Sequence, residues 1–250
     1  MTWTNTDNFI GAVFVWTYQG RAEIIGCIGS RQFSPGMSRV FHEFHSLSLQ
    51  PLQPVTFDNG QRWAPRRPGL TMAAVDAAPA PADSERPRLA QMRNLAREFR
   101  GWMKVDDDVS ELRLLPQPIF RYQAPDRGAL DGAIFALVWN GTDPEILLIL
   151  EEREDDGALA WHYALARFNY RELWVKRFEK EIWHVPVETE SEVYLTSRVR
   201  EIHLDALEAE AAAARAGESD RKQGDGIASG KAKLPAECMS YFCEVCNNEW

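Results

Sequence analysis

Two side chains able to move protons stand on either side of Phe44 in the run Phe41-His42-Glu43-Phe44-His45-Ser46-Leu47-Ser48-Leu49. Alternate residues of a strand share a face, so Glu43 and His45 point the same way, flanked by Phe41, Leu47 and Leu49. A carboxylate beside an imidazole can orient it or take its proton, the arrangement of general acid–base catalysis. The same pair also reads as a structural hydrogen bond, or as a strand face half-exposed at a sheet edge. Either way a charge on an apolar face is costly unless it is paired and hydrogen-bonded. His42 points to the opposite face and cannot complete a metal triad with the pair unless a bulge intervenes.

Three other constellations carry possible chemistry. Arg66 and Arg67, held between Pro65 and Pro68, form a stiff basic turn suited to contact an anion. Arg86, Arg93, Arg97, Arg100 and Lys104 fall on one side of the helix read below, a basic ridge that fits an acidic partner. Its internal alternative is neutralisation by the run Glu151, Glu152, Glu154, Asp155 and Asp156, or simple solvation. Cys238, Cys243 and Cys246 have the C-x4-C-x2-C spacing of three plant-type iron–sulfur ligands. No fourth donor follows them, and Cys27 and His203 could join only by chance geometry, so reduced thiols and no metal or cofactor are expected. No P-loop, no GxGxxG after a strand, no HExxH and no GxSxG is present, and HEFH is one residue short of the zincin spacing.

The elements that must position these residues announce themselves as a repeat. GAVFVWTYQGRAEIIGCI at 11–28 and GAIFALVWNGTDPEILLIL at 132–150 are both apolar runs broken by a glycine turn, the mark of a β-hairpin. Gly11 matches Gly132, Phe14 matches Phe135, Gly20 matches Gly141 and Glu23 matches Glu145. His42 then falls opposite His162, and Trp63 opposite Trp183, at a steady offset of about 120 residues. Each copy reads as a four-stranded antiparallel meander, over 9–18, 21–31, 37–49 and 54–64, then 130–139, 145–153, 158–168 and 172–187. In the second copy Trp161, Tyr163 and Leu165 occupy the face that carries Glu43 and His45 in the first.

Between the copies an Ala/Pro connector at 77–82 leads into a helix from a Ser84 cap to about Lys104, with Leu89, Met92, Ala96, Phe99 and Met103 as its apolar stripe. The Pro116/Pro118 segment reads as an edge strand interrupted by proline. A second helix is expected over 196–216, and a flexible tail with the cysteines over 217–250. The fold expected is α+β: a first meander over 1–76, connector and central helix over 77–110, a second meander over 111–188 and a C-terminal helix over 189–216, with 1–216 one compact domain. The two meanders would form one continuous sheet or a closed, barrel-like pair.

Composition sets the outer limits. With 250 residues, 45% hydrophobic and 26% charged, the chain is globular in character and long enough to bury a sizeable core. Its net charge of −9 opposes electrostatic recruitment to nucleic acid or anionic lipid. No apolar run approaches the ~20 residues of a membrane helix, and neither a signal peptide nor a disulfide framework is evident, so a cytoplasmic location is expected. Asn140-Gly141-Thr142 reads as the hairpin turn and not as a glycosylation site.

The segments HEFHSLSL, LAQMRNLAREF, LRLLPQPIFRY and GTDPEILLILEE together resemble a family of uncharacterised proteins from planctomycete bacteria, over about residues 9–187. No activity attaches to that family, so the resemblance implies kinship and transfers no catalytic residue. The leading functional reading is a non-enzymatic binding or protein-interaction module, its partner an acidic protein or a small ligand. The alternative is a small-molecule hydrolase with His45 as general base and Glu43 orienting it.

Overall fold

Two left-handed turns start the architecture. Gln19 and Gly20 take φ of 48° and 83° and reverse the first hairpin, while Gly141, at φ 81°, reverses the second. A Cβ at Gly141 would stand 2.1 Å from the Thr4 carbonyl oxygen, so only glycine lets this turn close against the N-terminal strand. The computed structural model describes residues 1–6, 9–34, 37–57, 60–155 and 157–203, the last six by backbone alone.

In chain order the described residues form β1 (Thr2–Thr4), β2 (Phe9–Tyr18), β3 (Arg21–Ser34), β4 (Met37–Ser46), β5 (Val55–Thr56), β6 (Arg62–Trp63) and β7 (Ala73–Ala74), then helix α1 (Glu85–Ala96). There follow β8 (Phe99–Val105), β9 (Asp108–Leu114), β10 (Phe120–Ala124), a 3-10 turn at Pro125–Arg127, β11 (Ala129–Val138), β12 (Pro144–Asp155), β13 (Ala158–Arg167), β14 (Leu173–Arg177), β15 (Lys180–Val185) and β16 (Tyr194–His203). One antiparallel sheet has the order β1-β2-β3-β4-β16; a second runs β15-β14-β8-β9-β11-β12-β13-β7, with β10 also on β11. The fold is α+β, built on antiparallel sheets with a single α-helix among the described residues. No helix among them is long and apolar enough to cross a membrane.

Three layers of side chains stack through the molecule. Outermost, Trp16, Ile24, Phe44 and Leu195 of the first sheet are roofed by Phe57 and Trp63 of the β5–β6 hairpin. Between the sheets, Val13, Ile25, Cys27 and Leu47 meet Ile134, Leu147, Ile149 and Ala166. On the far side of β11–β13, Phe135, Leu148, Leu150 and Trp161 pack under Met92 and Leu95 of α1 and under Phe99, Met103, Leu173 and Val175.

The first three strands of each expected meander stand where the apolar runs put them, as β2–β3–β4 and β11–β12–β13. The fourth in each is a short hairpin instead, β5–β6 and β14–β15, because Gly60 and Phe178 take positive φ and reverse the chain. The faces equated by the repeat also look into different layers: Phe41 and Leu47 beside the acid–base pair face the second sheet, whereas Trp161 and Leu165 face the helix side.

Three expectations are corrected. The helix ends at Ala96, and Phe99–Val105 is a strand with Phe99, Gly101 and Met103 buried in alternation. Phe99 and Met103 satisfy both a helical and a strand period, but Asp106 at φ 55° turns β8 back into β9, and the pairings with β9 and β14 fix the strand. The stretch 77–110 is therefore part of the second sheet as well as a connector. Residues 196–203, expected as helix, extend β16 along β4, a ten-residue strand whose Tyr, Thr, Val and Ile content favours the pleat. The rest of that expected helix and the tail with Cys238, Cys243 and Cys246 lie outside the described residues. The Pro116/Pro118 segment interrupts a strand as anticipated: the N–H groups of Leu115 and Ile119 donate to the Ala136 and Ile134 carbonyls of β11.

Candidate functional site

Along β12, Glu145, Leu147, Ile149 and Glu151 share the face that meets the first sheet, so two glutamates bracket an apolar pair. At the Glu151 end the first hairpin brings Arg21, which is 1% exposed. Arg21 lies 2.9–3.0 Å from Glu151 Oε1 through Nη2 and Nε, and its Nη1 donates to the Leu47 carbonyl at 2.9 Å and to Glu23 at 3.4 Å. Tyr122 Oη and Arg153 Nη1 complete the Glu151 carboxylate at 2.5 and 2.6 Å. Burial and the adjacent Glu151 push the Tyr122 phenol well above its usual range, so it stays protonated and donates. Every buried charge at this end has a counter-charge.

In front of this network opens a cleft of about 290 Å³. Trp16, Thr17 and Tyr18 at the end of β2 form one wall, with Glu23 and Ile24 of β3 behind them. The segment after β4 supplies Ser48, Gln50, Pro51, Leu52 and Gln53, and the 3-10 turn supplies Arg127. Arg127 pairs with Glu23 at 3.2 Å and lies over the Tyr18 ring, 5.2 Å from its centroid. The cleft joins an apolar wall to a few polar groups held by a rigid network, which is the usual composition of a small-molecule site.

Glu43 and His45 lie elsewhere, and the structure gives them separate partners. Tyr194 of β16 donates to Glu43 Oε1, while His45 Nδ1 lies 2.7 Å from the Ser46 carbonyl. Burial pushes the Glu43 carboxyl up to about 8, against the Tyr194 hydrogen bond and with help from Asp143. Burial lowers His45 to about 4, so its imidazole is neutral and its Nδ1–H faces the carbonyl. His45 is 4% exposed, Tyr194 is sealed, and neither member of the pair lines the cleft. Asp143 is raised to about 7 by burial, and Glu145 is raised well above its usual range by burial and by Asp143 and Glu43. Asn169 Nδ2 donates to Glu145 at 2.6 Å. Arg167, buried close by, spends its donors on the Asn169, Arg171 and Pro186 carbonyls and on Glu188.

The remaining sequence candidates are dispersed. Arg66 is exposed, and Arg67 sits 3.5 Å from Glu192 in an equally exposed pair. The basic ridge does not exist as one face, since Arg100 and Lys104 belong to β8. Arg93 bonds Gln117, Arg97 bonds Asn94, Arg100 bonds Glu111 and Arg86 is exposed. The acidic run is neutralised in part by a different arginine: Arg88 reaches Glu152 and Asp131, and Arg121 reaches Asp131. His42 stacks near Phe44 and Phe57, whereas His162 is half-buried 3.7 Å from Asp155, so the two matched histidines have different surroundings. Among the described residues no group of three or more His, Cys, Asp or Glu is placed to hold a metal ion.

Sequence reasoning missed Arg21, Glu23, Glu151 and Arg127, which build the cleft and its support. One signal was present, Arg21 and Glu23 two residues apart just after a hairpin glycine, on the strand face that Ile25 and Cys27 continue. Comparison with protein families, with curated proteins and with solved structures finds no match to the chain.

Proposed function

We propose that this protein is a non-enzymatic binding module that takes a small ligand in the cleft between the tip of the first hairpin and residues 48–53. The observation that carries the reading is the contrast between an open, aromatic-walled cleft with Arg127 and Glu23 in it and an acid–base pair outside that cleft, whose His45 is buried on a backbone carbonyl and whose Glu43 is already bonded by Tyr194. A general base needs its proton within hydrogen-bond reach of a substrate, and a neutral imidazole buried against a backbone carbonyl has no such access. The proposal includes the finer features of the fold: descent of the two meanders from a doubled unit, and kinship with the planctomycete family that the chain resembles.

The test is a thermal-shift screen of a metabolite panel against the full chain and against Gln53→Trp, which fills the cleft mouth from an exposed position. A compound that raises Tm of the unmodified chain and not of the variant places its site in the cleft. Hits that stabilise both equally bind elsewhere and overturn the proposal.

A further inference from the structure

Resting on that reading of the cleft, the charges behind it specify what fills it. Arg153 and Arg21 bond Glu151; Arg21 and Arg127 share Glu23. Three guanidiniums thus divide two carboxylates, and the phenol of Tyr122, protonated against Glu151, adds no charge. Each guanidinium has a partner, but by formal count three guanidiniums against two carboxyl groups leave the connected set at +1, on a protein whose net charge is −9.

That surplus is reachable from solvent only at one place. Arg21 is sealed, while Arg127 and Arg153 keep 24% and 21% of their side-chain surface. Both flank Gly128: Arg127 precedes it, and Arg153 Nη2 lies 3.3 Å from where a Cβ on Gly128 would stand. Asp126, the other neighbour in the turn, is exposed and joins none of these bonds. The Arg127 guanidinium lines the cleft, held by Glu23 at 3.2 Å through Nη2 and by the Tyr18 ring at 5.2 Å, and a guanidinium's remaining N–H donors suit a carboxylate. Beside it Trp16 and Leu52 give an apolar wall, and the volume sits at the lower limit of the roughly 300–1,000 Å³ of small-molecule sites.

We infer that the cleft binds a flat organic carboxylate, its anion on Arg127 and its ring against Trp16 and Leu52. Neutralising the surplus charge is the favourable step, and the apolar wall selects a planar body over a bare ion.

The experiment uses three probes of one shape, indole-3-carboxylate, indole-3-carboxamide and 3-aminomethylindole, titrated into the full chain while backbone amide shifts are followed by NMR. The carboxylate is expected to move the amides of residues 16–18 and 50–53 and to bind at least about tenfold more tightly than the other two. Added sodium chloride weakens the carboxylate alone. Arg127→Gln brings the carboxylate down to the affinity of the carboxamide, and Arg127→Lys, which keeps the charge and loses the fork, falls between. If the carboxamide or the amine binds the cleft as tightly as the carboxylate, the anion assignment is overturned while the binding reading stands. If none of the three moves the cleft amides, the assignment is overturned too, and the Gln53→Trp screen decides separately whether the cleft binds anything.

Discussion

The two ends of β12 bury acids in opposite ways. At Glu151 the carboxyl group is met by the Arg21 and Arg153 guanidiniums and by the Tyr122 hydroxyl. Six residues away along the strand, about 20 Å, Glu145 faces Asp143 and Glu43, and burial holds all three above the usual carboxylate range. Cys27 shares that end, and burial with the nearby acids raises its thiol as well. One end stores charge as ion pairs and the other stores it as bound protons. The difference teaches that burial alone does not define a site. The ion-paired end presents a charged guanidinium to the cleft through Arg127, whereas at the protonated end Glu145 is buried and Glu43 and Asp143 are half-buried, their hydrogen bonds taken up by Tyr194 and Asn5.

The largest effect that could break this comparison is Glu151→Gln. It strands Arg21 in the interior and should cost about 3–5 kcal/mol in urea denaturation, while Glu145→Gln, an isostere of the protonated acid, should stay within about 1 kcal/mol at pH 7. Equal losses at the two positions would show that both ends work alike. The next effect is on pH. Glu43 and Asp143 sit above their ordinary values of 4.5 and 3.8, so the stability they confer is complete below those values and is lost as pH rises through about 8 and about 7 respectively. His42 and His45, lowered to about 4, act in reverse: their contribution is complete above 6.5 and lost as pH falls through 4. Denaturant midpoints should therefore peak on the acid side of neutrality, with a decline on the order of 2–4 kcal/mol toward pH 9. Glu43→Gln should flatten that alkaline decline, and an unchanged decline would remove Glu43 from the protonated set.

A smaller change sharpens the picture. Tyr194→Phe removes the donor to Glu43 and should cost about 1–2 kcal/mol, most of it recovered when Glu43→Leu is added, as a double-mutant cycle would read. Smallest of all, Arg100→Ala breaks an exposed pair with Glu111 and a surface contact with the Trp102 ring, and should move the denaturation midpoint little. A clear loss there would give the surface charges a weight that the buried ones are held to carry.

Local signals in the sequence placed much of the fold. Gly20 and Gly141 marked the two hairpins, apolar runs placed β2–β4 and β11–β13, and Pro116 and Pro118 marked the break between β9 and β10. Elements fixed by distant partners were not legible. β8 reads as helix until β9 and β14 lie beside it, and β16 reads as helix until β4 does. The same limit governed the site. Glu43 and His45 were visible because they stand two apart on one strand, but their burial depends on Tyr194, about 150 residues on. The cleft draws on β2, β3, residues 48–53 and Arg127, four stretches that no spacing rule connects.

The pairing of β16 with β4 has a further effect, on how the chain is made. The first sheet lacks its last strand until Tyr194–His203 has been synthesised, long after β2, β3 and β4 have left the ribosome. Until then the β4 edge, with its backbone hydrogen-bonding groups exposed, stands open to pairing with other nascent chains. Completion of this sheet is thus deferred to residues 194–203, and a premature stop ahead of residue 194 would release an unsealed, sticky sheet.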